Sequence, residues 1–323
     1  MALGLLAAYP VTRMRPASDD QRRTTGSTVE AAVRLAYSTL ACPGRRLEET
    51  LELGVRAGYE GVELRLIDGE LIDPGMSVQD RERVADACAK AGLPIAAVDS
   101  SIRVADPAAP HDVLAQISAF LELAAEWGAP TVRVFGGELP DAVAARQERL
   151  ASAAGVLQRA SDRAERLGVR VGVETHDAFL ASATVAELLA LVPSEWVGAV
   201  WDSHHPCRAG ENAAQVYAAI GSRLCLAQVK DATRTGAGPD DWRLVPLGEG
   251  EVPVREMLRL LMQGGYDGWL SVEWEKRWHP EIDEPEKALP QHLRLLRTWT
   301  AELTAASVRP GKAQSNTAQP KRS

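Results

Sequence analysis

Two hydrophobic periods alternate along this chain between Arg34 and Leu303. Short apolar or β-branched runs recur near residues 34–40, 61–66, 94–101, 131–136, 170–175, 197–202, 224–230 and 269–275. Runs of this length and composition predict strands. Between them, apolar residues return at helical spacing. Leu47, Leu51 and Val55 form one such stripe, and Val113, Ile117, Phe120, Leu121 and Ala124 a second. Leu150, Val156, Leu157 and Ala160 form a third, and Val254, Met257, Leu258 and Leu261 a fourth. Each predicts an amphipathic helix with one buried face. Gly58, Gly92, Gly128, Gly168 and Gly265 stand where helical stretches end, the position at which a left-handed cap favours glycine. A weak echo links Ala57-Gly58-Tyr59-Glu60-Gly61-Val62-Glu63-Leu64 to Gly264-Gly265-Tyr266-Asp267-Gly268-Trp269-Leu270. It marks two helix-to-strand joints built alike.

Eight strand–helix units in one chain predict a parallel sheet closed on itself, an α/β fold of the single (β/α)8 TIM barrel type. The competing fold is a doubly wound open sheet, which binds nucleotides through a Gly-rich first turn. No GxGxxG is present, and Gly248-Glu249-Gly250 lies too late in the chain. The barrel domain is expected over residues 31–304. Residues 1–30 read as a disordered leader or an upstream start included by gene prediction. The apolar stretch Leu3 to Val11 precedes Arg13, Arg15, Arg22 and Arg23, the reverse of a secretory signal. Residues 305–323 read as a disordered tail.

Composition narrows the function. The chain has 323 residues, 46% hydrophobic and 25% charged, values of an ordinary globular protein. No apolar run approaches the roughly 20 residues that span a bilayer. A net charge of −8 repels phosphate backbones, so neither nucleic acid nor membrane is expected as a partner. Cys42, Cys88, Cys207 and Cys225 form no CxxC pair and read as reduced thiols in a cytoplasmic protein.

The chemistry lies in four runs of the second half: Val171-Gly172-Val173-Glu174, Gly198-Ala199-Val200-Trp201-Asp202, Cys225-Leu226-Ala227-Gln228 and Leu270-Ser271-Val272-Glu273. Each closes a predicted strand with an oxygen-bearing side chain. Barrel active sites gather at the C-terminal ends of the strands. Glu174, Asp202, Gln228 and Glu273 therefore predict a hard metal site of three carboxylates and one amide oxygen. Such a site suits Mn²⁺ or Mg²⁺, with Co²⁺ also accommodated. A lone acid after a strand more often caps a loop; four on successive strands favour a shared site. His176, His204, His205 and His279 follow these strand ends. His176 shares a face with Glu174 if the strand continues. Lys230 shares the face of Gln228 and either reaches a substrate oxygen or ties the mouth together by a salt bridge. Asp231 reads as a loop anchor. Arg243 follows as a further substrate contact, and the glycines of 248–250 either approach a ligand or simply turn. In the first half, Tyr37, Glu63, Arg65, Asp99 and Arg133 lie at or near strand ends, where each can hydrogen-bond a ligand. Glu63 and Arg65 are also placed to pair with each other. Trp201, Trp242, Trp274 and Trp278 gather near the second-half mouth, where space-filling competes with stacking on a ligand ring.

Glu174-Thr175-His176, Trp201-Asp202-Ser203-His204-His205, Gln228-Val229-Lys230-Asp231, Gly248-Glu249-Gly250 and Ser271-Val272-Glu273, in this order, resemble the sugar phosphate isomerase/epimerase family of the xylose-isomerase-like barrels. The resemblance covers residues 34 to about 300. It implies metal ligands at Glu174, Asp202, position 228 and Glu273, and a substrate-contacting histidine at His205. Many members carry His where this chain has Gln228, which bears on metal choice and on how far a substrate carries over. The expected activity is isomerisation or epimerisation of a ketose, aldose or cyclitol, a small sugar or polyol substrate. Glu174 and Glu273 would move the proton through an enediolate. A non-phosphorylated substrate is slightly favoured, because no dedicated phosphate loop is evident. A lyase of the inosose dehydratase type is the alternative. An abasic-site endonuclease would need more histidines and less negative charge. A non-catalytic sugar-binding module would have no reason to keep both glutamates. Barrels of this kind often form homodimers.

Overall fold

A computed structural model describes residues 33–106, 110–236, 238 and 241–307. The expected leader and nearly all of the expected tail lie outside the described residues. The last helix runs on to Ser307, three residues past the expected barrel limit.

Eight parallel strands close into a barrel in chain order. They are β1 (Arg34–Ser38), β2 (Gly61–Leu64), β3 (Ile95–Arg103), β4 (Thr131–Phe135), β5 (Arg170–Glu174), β6 (Val197–Asp202), β7 (Leu224–Val229) and β8 (Trp269–Val272). Each matches one of the eight predicted runs. Among the described residues, eight helices of eight or more residues follow them in turn: α1 (Leu47–Ala57), α2 (Val78–Ala91), α3 (Pro110–Glu126), α4 (Val143–Leu167), α5 (Ser182–Ala190), α6 (Ala213–Ile220), α7 (Val254–Gln263) and α8 (Pro285–Ser307). The four predicted apolar stripes fall on α1, α3, α4 and α7. Val254, Met257, Leu258 and Leu261 of α7 are all buried, each worth roughly 1.5–3 kcal/mol by the area removed from water. Val55 of α1 is an exception, 45% exposed at the rim. All five expected cap glycines have positive φ, Gly58 at +94°. Among the described residues, no helix is long and apolar enough to cross a membrane.

The strand period sorts side chains between two cores. One alternate set packs outward against the helices, and Tyr37 belongs to it. Its hydroxyl donates to the Thr50 carbonyl of α1 at 2.7 Å, so it does not reach the mouth as the sequence reading allowed. The other set fills the barrel. Ala36, Ala96, Ala97, Val200, Leu226 and Trp269 form a separate buried cluster there. Small residues make room for it: a Cβ on Gly172 would meet Val200 at 2.6 Å, and one on Gly61 the Trp269 ring at 2.6 Å. Two residues further along each strand, the same inward face carries Glu63 after Gly61, Asp99 after Ala97, Glu174 after Gly172, Asp202 after Val200 and Gln228 after Leu226. An apolar floor thus continues into a polar mouth.

α8 carries a buried histidine whose protonation the fold resists. His292 Nδ1 lies 2.6 Å from the Ala288 carbonyl, the ring stands edge-on to Trp274, and Nε2 has no hydrogen-bond partner among the described residues. Burial lowers its pKa from 6.5 to about 4. The unfolded chain takes up this proton first, so stability is full above the unfolded value and falls as pH drops towards the folded one. From about pH 7.5 to about pH 5, this one site should remove about 2 kcal/mol. Urea unfolding of His292→Leu should show an acid-side decline smaller by that amount; an unchanged decline would contradict the assignment.

Candidate active site

The predicted side chains meet at the C-terminal mouth. Glu174, Asp202, Gln228, Lys230 and Glu273 are buried, as are Glu63, Asp99 and Arg133 at the ends of β2, β3 and β4. One oxygen each from Glu174, Asp202 and Glu273 lies within 4.8 Å of the other two. Gln228 is the strand neighbour of both Asp202 and Ser271. Its amide oxygen has no hydrogen-bond partner among the described residues, whereas Glu174 Oε2 faces Arg133 at 3.1 Å and Asp202 Oδ2 faces Lys230 at 3.2 Å. A buried oxygen without a partner is costly, and one beside three converging carboxylates fits a hard divalent cation.

Local structure explains why each acid points inward. Asp202 Oδ1 accepts from the backbone N–H groups of His204 at 2.8 Å and His205 at 3.0 Å, capping the short helix His204–Arg208. This leaves Oδ2 facing Lys230 Nζ at 3.2 Å. Hydroxyls latch the strand ends together. Thr175 accepts from the Asp202 N–H at 3.0 Å, and Ser203 donates to the Lys230 carbonyl at 2.9 Å. Asp231 is the anchor the sequence suggested: its two oxygens accept from the N–H groups of Ala232, Gly248, Gly250 and Val252. The 248–250 turn therefore approaches this carboxylate closely; a Cβ on Gly250 would sit 2.2 Å from Asp231 Oδ1.

Two buried cations organise the carboxylates. Arg133 holds Asp99 at 3.3 Å and Glu174 at 3.1 Å. Burial opposes its charge, but Asp99, Glu174, Glu273 and Glu63 hold it firmly protonated. Lys230 reaches Asp202, Glu273 at 2.7 Å and, in a short contact, Glu275. Burial works against its charge too, and those carboxylates carry its pKa well above the usual value. Of the two roles open to Lys230, the geometry displays the salt bridge. Burial raises Glu174, with Arg133 pulling the other way. Burial lifts Glu273 further, opposed by Lys230 and reinforced by Glu275. Glu275 would also be raised by burial, but Lys230 and His279 hold it well below the carboxylate range. The sequence reading did not single out Glu275, although its spacing of two from Glu273 was the available signal.

A row of rings borders the acids. His176 continues extended beyond β5 and comes with His205 and Glu174 into a second close group. Ring centroids step from Phe135 to His176 at 4.6 Å and on to His205 at 4.5 Å. His204 meets Trp242 edge-on at 5.1 Å. Burial drives the His205 pKa well below 6.5, helped by Lys230, and lowers His204 to about 4. Both rings are therefore neutral at physiological pH. His279 sits against Glu275 and Glu281, which raise its pKa.

Arg243 lies on the outer hairpin Asp231–Arg234/Trp242–Val245, opposite Thr233. Its neighbours Leu244 and Val245 are buried, whereas Arg243 itself is exposed. Several expectations are corrected here. Glu63 and Arg65 do not pair. Glu63 accepts from Gln228 Nε2 at 2.5 Å, and Arg65 donates to the Asp99 carbonyl at 3.3 Å. Arg65 has no carboxylate salt bridge among the described residues, and burial lowers its pKa to about 10. Of the four tryptophans, Trp242 alone touches the histidine row. Trp201 faces Tyr217, Trp274 donates to the Asp283 carbonyl, and Trp278 is half exposed beside Arg277.

A sequence profile described as xylose isomerase-like TIM barrel matches residues 51–299. No curated protein matches the chain. Among solved structures, a D-tagatose 3-epimerase-like protein is 18% identical with a TM-score of 0.68, covering 85% of this chain and all of its own. The 3-keto-D-glucoside 4-epimerase of E. coli is 18% identical with a TM-score of 0.66, covering 83% of this chain and all of its own. A probable 3-DHS dehydratase of Bacillus anthracis is 15% identical with a TM-score of 0.65, over 82% of this chain and 99% of its own. At these identities the likeness extends to the fold.

Proposed function

Because the chain belongs to the xylose isomerase-like TIM barrel family, we propose that it is a divalent-metal-dependent enzyme that epimerises or isomerises a sugar or cyclitol by proton transfer. The observation that carries this reading is the convergence of Glu174, Asp202 and Glu273 oxygens within 4.8 Å, beside a Gln228 oxygen without a partner. Glu174, Asp202, Gln228 and Glu273 would hold Mn²⁺ or Mg²⁺. Bound there, the cation supplies Lewis-acid stabilisation of charge developing on a substrate carbonyl oxygen.

The remaining work falls to the chain's own groups. Glu174 and Glu273 come from strands separated by β6 and β7, so they can address a substrate carbon from two sides. One removes the proton next to the carbonyl and the other returns it. Return to the opposite face of the same carbon epimerises; return to the neighbouring carbon isomerises. Burial raises both carboxyls, which favours proton exchange near neutral pH. Lys230 and Arg133 place fixed positive charge beside the two glutamates, where an enediolate would build negative charge. His176 and neutral His205 offer ring nitrogens to substrate hydroxyls, and the guanidinium of Arg65 has donors to spare for another. These groups would form the substrate-binding set, with the exposed Arg243 as a further candidate on the outer hairpin.

Loss of a β-hydroxyl from the same enediolate would make the protein a dehydratase. That second reading is favoured by the likeness to a probable dehydratase, nearly as good as that to the epimerases.

One experiment tests and separates these readings. Protein stripped by chelator and reloaded with Mn²⁺ is offered ketoses, inososes and 3-keto-glycosides in D₂O, and products are followed by NMR. The expected result is metal-dependent deuterium at the carbon beside the carbonyl. Solvent-derived deuterium with loss of a hydroxyl identifies the dehydratase. Turnover undiminished without metal would refute the proposal.

A further inference from the structure

Glu63 is a fully buried carboxylate that the proton transfer does not use. It lies near the end of β2, 165 residues from Gln228 in sequence, yet its Oε1 accepts from Gln228 Nε2 at 2.5 Å. A carboxylate side chain is a strong acceptor, whereas an amide carries donors on one side and an acceptor on the other. Holding the NH₂ group therefore decides where the carbonyl oxygen goes. Gln228 Oε1 is left without a hydrogen-bond partner among the described residues, on the residue paired with Asp202 in the sheet. With the amide turned round, two N–H bonds would be directed at the carboxylate cluster where a cation is expected.

We infer that Glu63 is a positioning residue. It locks the Gln228 amide so that oxygen rather than nitrogen faces Glu174, Asp202 and Glu273, completing an all-oxygen donor set for a hard divalent cation. This rests on the metal reading proposed above. A histidine at position 228 could offer the same cluster a nitrogen; glutamine offers oxygen only when its flip is controlled. The Glu63 bond supplies that control from across the mouth, β2 and β7 being separated by β1 and β8. It is an outer interaction of the kind that typically changes metal affinity by about 10- to 100-fold.

Mn²⁺ titration of metal-stripped protein, by calorimetry and by the loss of the free-ion EPR signal, tests the inference without reference to turnover. Glu63→Leu removes the acceptor and should weaken Mn²⁺ binding by about 10- to 100-fold. Glu63→Gln keeps an acceptor oxygen but discards the charge, and should stay within about fivefold of the parent if orientation is what matters. In a Gln228→Ala background there is no amide left to orient, and Glu63→Leu should then change affinity by less than about threefold. Equal losses in Glu63→Leu and Glu63→Gln, or the same loss with and without Gln228, would show that Glu63 acts through charge or packing and overturn the inference. Tight Mn²⁺ binding that Glu63→Leu leaves unchanged overturns the inference alone. A parent protein that binds no Mn²⁺ overturns the metal reading and the inference together.

Discussion

Glu174→Gln and Glu273→Gln should each lower kcat by about 10³-fold, within the range expected when a positioned acid or base is removed. Both substitutions keep the volume and one oxygen, so the fold and part of the cation site survive while the transferable proton is lost. The two carboxylates are held by different cations. Arg133 lies 3.1 Å from Glu174 and Lys230 lies 2.7 Å from Glu273. Removing one glutamate therefore leaves the other with its own partner in place. If one glutamate takes the proton and the other returns it, the two variants should fail differently. The variant that retains the base should still exchange substrate hydrogen with D₂O while forming little product, and the other should do neither. The measurement is kcat beside proton exchange by NMR at saturating Mn²⁺. Retention of more than a tenth of kcat in either variant would remove that residue from the chemistry.

Lys230→Met should act in opposite directions on two observables. Lys230 is buried and neutralises parts of Asp202, Glu273 and Glu275. Removing one partner of a buried ionic cluster typically costs about 3–5 kcal/mol, because like charges are left facing one another out of water. The metal-free variant should lose that much in denaturant unfolding. Mn²⁺ binding should tighten, since the ammonium no longer competes for the same oxygens, and saturating Mn²⁺ should restore much of the lost stability. Turnover should nevertheless fall, by about 100-fold, if the ammonium stabilises charge on the substrate. Unchanged stability of the metal-free variant, or weaker Mn²⁺ binding, would contradict the arrangement.

The strands were legible because parallel barrel strands are buried on both faces and read as uninterrupted apolar runs. The helices were legible as stripes only where one face is strongly apolar. α2 is buried chiefly through Val84 and Cys88, too few positions to register, and was not named from the sequence. The short outer hairpin was missed as well. Asp231–Arg234 and Trp242–Val245 are joined by a polar stretch and paired only with each other, so they lack the signature of core strands. This miss also left the exposure of Arg243 unread. Without the hairpin, nothing in the sequence says which way that side chain turns.

What the sequence determined by itself was the inventory and its order: eight apolar runs, an acid or amide closing each of the last four, and histidines and a lysine just beyond. Period-two alternation then placed those residues on an inward face without knowledge of any contact. What the tertiary structure alone decided was pairing. Glu63 can serve Arg65 beside it or Gln228 at a distance of 165 residues, and local spacing favours the former. Closure of the barrel brings the C-terminal ends of β2 and β7 towards one axis. There the carboxylate meets an amide N–H, and Arg65 turns to the Asp99 carbonyl. The same closure brings Glu275 to Lys230 and Arg133 to Glu174. Burial in a ring of strands makes each charge seek the nearest opposite charge or donor across the mouth, and that distance is a property of the closed barrel rather than of the chain.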